Sequence, residues 1–475
     1  MQQGEDGRID WRALWASGDL ARFCFVSLGV LLHATNETMI ATIMPAMVGD
    51  LSGIELVGWS LAVYELGSIV AGASAGRLVS YVALRTNMTA AALIYAAGAL
   101  ICATASTMPF FLAGRLIEGL GGGALVSLAF VSVERLFPPR IWPQLFGIIS
   151  AVWGVAAFSG PLIGALISDA LSWRWALGLF SVAGATMAAA SFTVLNTPGA
   201  RRRPGGGTAA PFPFATLAVL AAAIILIATA GVRIMPLRST LLLAAGLFGL
   251  ILFFRLDARN GEARLFPSRL FDWRTPVGTG MTMVAALSVS TCALAIYGPL
   301  LITTLHDISI LTTGYIIAAE SISWSILSIA VANAPPRHER PIILAGAVMI
   351  VAGVAGFAYT IPLGSIWLIL LCALLQGGGF GMAWPFLTRA IVAAAPPDER
   401  TIASSAVPTL QRIGYAVGAA ATGIIANAAG LSEGLARQTA AHVTVWVFLA
   451  FLPLAAVGIA AAVRLVADPA WADNA

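Results

Sequence analysis

Four glutamates stand inside otherwise apolar stretches of this 475-residue chain: Glu37, Glu65, Glu118 and Glu320. A charged side chain in the hydrocarbon of a bilayer costs at least about 2.5 kcal/mol on insertion scales, so each must be protonated, paired or turned to a wet cavity. Such groups can exchange a proton for a cationic ligand. His33 precedes Glu37 by four residues and Arg115 precedes Glu118 by three, and both spacings put two side chains on one helical face. Arg115 neutralises Glu118 in place, where a static pair and a proton site are equal readings, so Glu37 is the stronger proton candidate. For Glu65, near Trp59 and Tyr64, solvation at the membrane interface is the alternative. Glu320 has Trp324 one turn on, whose ring face can receive a cation. Arg412 is the other basic residue within an apolar run. Asn36, Tyr64, Tyr297, Trp324, Gln376 and Trp384 are candidate lining residues of an amphiphilic cavity, with plain packing or interfacial anchoring as the alternative for the aromatics.

The elements that hold these residues follow from composition. The chain is 59% apolar and 10% charged, against about 25% charged residues in soluble domains, and so reads as an all-α membrane protein. Fourteen runs reach the roughly 20 residues that a spanning helix needs. Their limits are 22–46, 55–79, 87–106, 109–133, 144–168, 174–195, 211–231, 239–254, 277–303, 311–333, 341–361, 365–392, 404–427 and 441–464. All 26 basic residues are Arg. With a cytoplasmic N-terminus, inner loops and tails hold 20 of them, outer loops only Arg174, Arg233, Arg238 and Arg437, and spans the remaining two. This bias places both termini in the cytoplasm and the chain in the inner membrane. Glu5, Asp6, Asp10 and Asp19 are the wrong charge for a secretory leader, so no cleaved signal peptide is expected. Trp11, Leu14 and Trp15 share a face on which a short interfacial helix can form.

Short loops leave no room for an extramembrane catalytic domain. The four Cys lie far apart without metal-ligand spacing, and no cofactor, metal or enzymatic activity is expected. The run Gly119 to Gly123 lies within an apolar span without a preceding strand, so it is no nucleotide loop, and neither ATP nor nucleic acid is an expected partner.

A shift of 258 positions aligns Glu118-Gly119 with Gln376-Gly377, Gly121 with Gly379, Pro138-Pro139 with Pro396-Pro397 and Gly160 with Gly418. Two pseudo-symmetric six-helix bundles are therefore expected, at 22–195 and 277–464. Two inserted helices lie in a linking segment, 196–276, and cytoplasmic tails occupy 1–21 and 465–475. Two repeated bundles around a central cavity is transporter architecture.

Several motifs carry a family resemblance. In the fifth span Gly154, Gly160, Pro161 and Gly164 are followed by Ser172-Trp173-Arg174-Trp175. The glycines admit a close neighbouring helix, and Pro161 removes a backbone bond and bends the span. The first span carries Asn36-Glu37 ahead of Pro45 and Gly49-Asp50. The fourth has Arg115-x-x-Glu118-Gly119, and the thirteenth Gln411-Arg412-x-Gly414 with Gly418. These residues resemble the major facilitator superfamily, in particular its fourteen-helix drug:proton antiporter branch. The family pattern has an acid where Asn36 stands and an amide where Glu118 stands. The inner loop Gly76-Arg77 to Arg85 is similar to the family's loop motif, with Ser80 in place of its acid and Ala83 in place of its second Gly. The resemblance implies that this inward lock is weakened or rebuilt, while plain inside-positive anchoring is an equal reading of Arg77 and Arg85.

The resemblance implies a proton-coupled secondary transporter that exports hydrophobic or amphiphilic small molecules by alternating access within the lipid bilayer, and a monomer is expected. A carrier for one metabolite, lipid or siderophore is the alternative, because fold does not fix substrate. A membrane receptor or enzyme without transport is the more distant one.

Overall fold

A computed structural model describes residues 11–137, 142–196, 213–232, 234–331, 334–397 and 399–468, and among them there is helix and no strand. In chain order the helices are α1 (Trp11–Ala16), α2 (Asp19–Leu51), α3 (Val57–Tyr81), α4 (Leu84–Ala103), α5 (Met108–Leu136), α6 (Trp142–Ala170), α7 (Trp173–Val194), α8 (Phe214–Ala230), α9 (Pro236–Arg259), α10 (Pro276–His306), α11 (Ile310–Val331), α12 (Pro336–Leu363), α13 (Ile366–Ala394), α14 (Arg400–Ala428), α15 (Arg437–Leu449) and α16 (Leu452–Val466). Pro138-Pro139 and Arg201-Arg202-Arg203 lie outside the described residues, as do the surroundings of Gly76, Arg77 and Ser80.

Every apolar run of the sequence falls on a helix, the last on α15 and α16 together. Twelve candidate spans are long and apolar enough to cross a membrane among the described residues. Two of the fourteen runs fall short of that standard. Helix α8 has only 17 residues, about 26 Å at 1.5 Å per residue. Helix α14 carries Arg400, Ser404, Ser405, Thr409, Gln411 and Arg412 among its 29 residues. Proline opens α9, α10 and α12, where its missing N–H has no intrahelical role. Gly364, at φ 83°, ends α12 in the left-handed region that favours glycine.

The chain divides into two compact units, Met1–Ile43 with Leu66–Phe212, and Met44–Glu65 with Pro213–Ala475. In the first, α4 packs against α5 and α7. Gly98 and Gly121 let α4 and α5 approach so closely that a Cβ at either would strike the backbone of Glu118 or Tyr95. Gly67 and Gly123 do the same for α3 against α5. Gly160 and Gly164 set α6 on α2 beside Thr35, Thr38 and Met39, and Thr38 Oγ1 donates to the Ala156 carbonyl at 3.0 Å.

The second unit repeats these contacts around α10, most of whose residues are buried. Gly377 and Gly381 of α13 abut Glu320 and Trp324 of α11, Gly346 and Gly353 of α12 abut Gly379 and Gln376 of α13, and Gly414 and Gly418 of α14 abut Ser288 and Val289 of α10. Helices α8 and α9 belong to this unit and pack on each other at Gly246. The end of α8 is fastened by Trp59 Nε1 donating to the Ala228 carbonyl at 3.2 Å. Asn427 Nδ2 donates to the Glu55 and Gly231 carbonyls at 2.8 and 2.9 Å.

Candidate functional site

In the first unit α2 and α5 bring three buried polar side chains into a closed triad. Arg115 Nη1 donates to Glu118 Oε2 at 2.5 Å and to Asn36 Oδ1 at 2.8 Å, and Asn36 Nδ2 donates to Glu118 Oε1 at 2.8 Å. All three are at most 1% exposed. Both carboxylate oxygens are bonded and the charges cancel, which is the condition under which a buried ion pair is tolerated. Next to Asn36 in the chain, Glu37 is partly exposed and lies 3.7 Å from the Nε2 of buried His33, one turn before it. The Trp153 ring of α6 meets His33 edge-on at 5.8 Å.

In the second unit two further acids have unlike settings. Glu65 is fully buried and pairs with Arg412 of α14 at 3.0 Å, so interfacial solvation is not its setting. Glu320 of α11 accepts from Gln376 Nε2 of α13 at 2.7 Å, and among the described residues no cation pairs with it. Next along the same two helices is a ladder of rings. Trp324 stacks on Phe380 at 4.8 Å with 6° between planes, and Trp384 packs on both at 5.8 and 5.5 Å. The two helices can run this close because Gly377 and Gly381 face the Glu320 and Trp324 carbonyls. Acid, amide and stacked rings together give a cation both charge and a π face. Tyr64 and Tyr297 are fully buried, and the Tyr297 hydroxyl lies over Gly58 at the start of α3.

The conformational motifs occupy other places. Pro161 is buried inside α6, Gly154 lies two turns before it, and Arg85 sits over the Phe192 ring at 5.0 Å. Phe380 and Trp153 went unnoticed in the sequence. Phe380 stands four residues after Gln376 and four before Trp384, a one-face spacing that marks it, whereas nothing local marks Trp153 as a neighbour of His33.

The sequence profile of the Major Facilitator Superfamily matches residues 26–337 and again 278–474. A probable multidrug-efflux transporter of Mycobacterium tuberculosis is 30% identical over 469 residues, covering 95% of each chain. The multidrug transporter protein MdtP of Bacillus subtilis is 24% identical over 437 residues, covering 90% of this chain and 78% of that one. Among solved structures, the nucleoside transporter NupG superposes with a TM-score of 0.60 at 13% identity, covering 94% of this chain and 99% of that chain. At that identity the likeness shows the fold alone. The chain is a multi-pass membrane transporter of the Major Facilitator Superfamily.

Proposed function

We propose that this transporter exports hydrophobic or amphiphilic compounds, cations among them, across the inner membrane in exchange for protons. The observation that carries the reading is Glu320: a carboxyl on a spanning helix, bonded to an amide without a paired cation, one turn from a stacked aromatic ladder. Its negative charge is balanced only when a proton or a cationic substrate arrives. Competition for that one group couples the two flows, because each occupant biases which face of the transporter opens. Glu37, with His33 beside it, is the second protonatable candidate. The Arg115–Glu118–Asn36 and Glu65–Arg412 pairs hold helices in register. The likeness to multidrug-efflux proteins over nearly the whole chain supports export of drugs.

The same reading takes α8 and α14 as spans, which gives fourteen and the fourteen-helix drug:proton antiporter branch. It takes 22–195 and 277–464 as the two six-helix bundles. Both termini lie in the cytoplasm, on the strength of the Arg distribution, and the transporter works as a monomer. Expression in a pump-deficient bacterial host, challenged with a panel of lipophilic drugs, tests it. Any compound resisted is then followed in membrane vesicles with and without a proton gradient. Accumulation that collapses with the gradient and with Glu320→Gln is expected, and accumulation indifferent to the gradient contradicts proton coupling.

A further inference from the structure

At the Arg-rich end of α9 an apolar groove of about 650 Å3 runs between the helix and the segment that follows it. Leu247, Ile251 and Phe254 form the helical wall, Phe266 and Phe271 the opposite one, and Arg255 stands at the mouth. The groove is built and not incidental. The buried Asp257 carboxylate accepts from the backbone N–H groups of Leu265 and Phe266 at 2.8 and 3.0 Å, folding the segment back over the helix. Phe254 then meets Phe266 at 5.7 Å and Phe271 at 5.2 Å. Glu399 fixes the far side, accepting from the Ser268 N–H at 3.1 Å and from Arg264 at 2.9 Å. That pair leaves exposed Arg255, Arg259 and Arg269, which form no ion pair among the described residues. Arg255 and Arg259 are one helical turn apart. On the wall, Leu247 and Ile251 are exposed, as is Phe248 beside them.

We infer that this groove is a binding site for an anionic phospholipid, with an acyl chain along Leu247, Ile251 and Phe254 and the phosphate at Arg255 and Arg259. A groove whose helical wall is apolar and exposed at Leu247 and Ile251, and which has a cation at Arg255, matches a lipid in both chemistry and direction. That the lipid comes from the cytoplasmic leaflet rests on the orientation proposed above. The test uses the full-length protein in nanodiscs, whose two leaflets are identical, so lipid selectivity is read whichever way the chain inserts. Phosphatidylglycerol and phosphatidylcholine, each with a photoreactive acyl chain, are crosslinked in turn and the labelled peptides are mapped. The expected result is labelling of 247–271 with an excess of phosphatidylglycerol of about tenfold, removed by Arg255→Gln with Arg259→Gln. Ile251→Trp, which fills the groove and leaves the charges, should lower labelling by both lipids there. Equal labelling by the two lipids, or an excess that survives loss of both Arg residues, would overturn the inference. So would displacement of the phosphatidylglycerol label by soluble glycerol phosphate, which carries no acyl chain.

Discussion

The two repeats keep the same helix contacts and handle charge in opposite ways. In the first, position 118 is an acid with Arg115 one turn before it and Asn36 across from it, and the three close on one another. In the second, the equivalent position is Gln376, and the place of Arg115 is taken by Ala373. An acid stands instead on the facing helix, as Glu320, and accepts from the Gln376 amide. In the first unit the Arg115 and Glu118 charges cancel within the triad, whereas among the described residues no cation pairs with Glu320 in the second. Glycines at matching positions set where the helices touch in both units, while the side chains at positions 115, 118, 320 and 376 set how the polar groups at those contacts are paired.

Removing Arg115 is the harshest way to break the contrast. Arg115→Leu strands the Glu118 carboxylate in a dry contact and should cost about 3–5 kcal/mol, read as a fall in the melting temperature of the purified protein. The double variant Arg115→Leu with Glu118→Leu should recover most of that loss, since well-packed apolar replacements of a buried pair are often neutral. A double variant as unstable as the single one would show that the triad's worth is not in its charge balance. Gly160→Leu comes next, because its side chain must enter the space of Thr38 and the Thr35 carbonyl. It should destabilise by about 1–3 kcal/mol and abolish export, and normal export would count against a moving contact between α2 and α6.

How much of this could be read beforehand depended on distance along the chain. Arg115 and Glu118 announce themselves because a helix places residues three apart on one face. The repeat marked Gln376 as the counterpart of Glu118. Its partner Glu320 lies 56 residues away, and only the contact of α11 with α13 joins them. Glu65 and Arg412, 347 residues apart, carry no local signal of their pairing. The same limit applied to span counting: hydropathy located α14, yet its polar residues around Arg412 keep it below the standard that the twelve candidate spans meet.

Smaller effects sharpen the comparison. Trp324→Ala opens the ring ladder and should weaken export of cationic compounds about tenfold more than that of neutral ones, measured as paired resistance levels. Outside the membrane, burial pushes the Glu399 carboxyl up, but the Ser268 groups and the Arg264 guanidinium outweigh it and hold the carboxyl below the ordinary range. A carboxyl depressed in the folded state adds stability that is complete above its unfolded value of about 4.3 and disappears as pH falls through the lower folded value. Glu399→Gln should therefore cost under about 1 kcal/mol at neutral pH, and progressively less as pH falls below the unfolded value, in melting curves taken across that interval.

The most direct test is the proton released when a cationic substrate binds to the detergent-solubilised protein, followed with a pH indicator in weak buffer. The wild-type chain should release a proton on binding, and the Arg115→Leu with Glu118→Leu variant should release it as well. Glu320→Gln should release none while still folding to a stable protein. Release that persists in Glu320→Gln and vanishes with the triad variant would contradict the division of roles between the two halves.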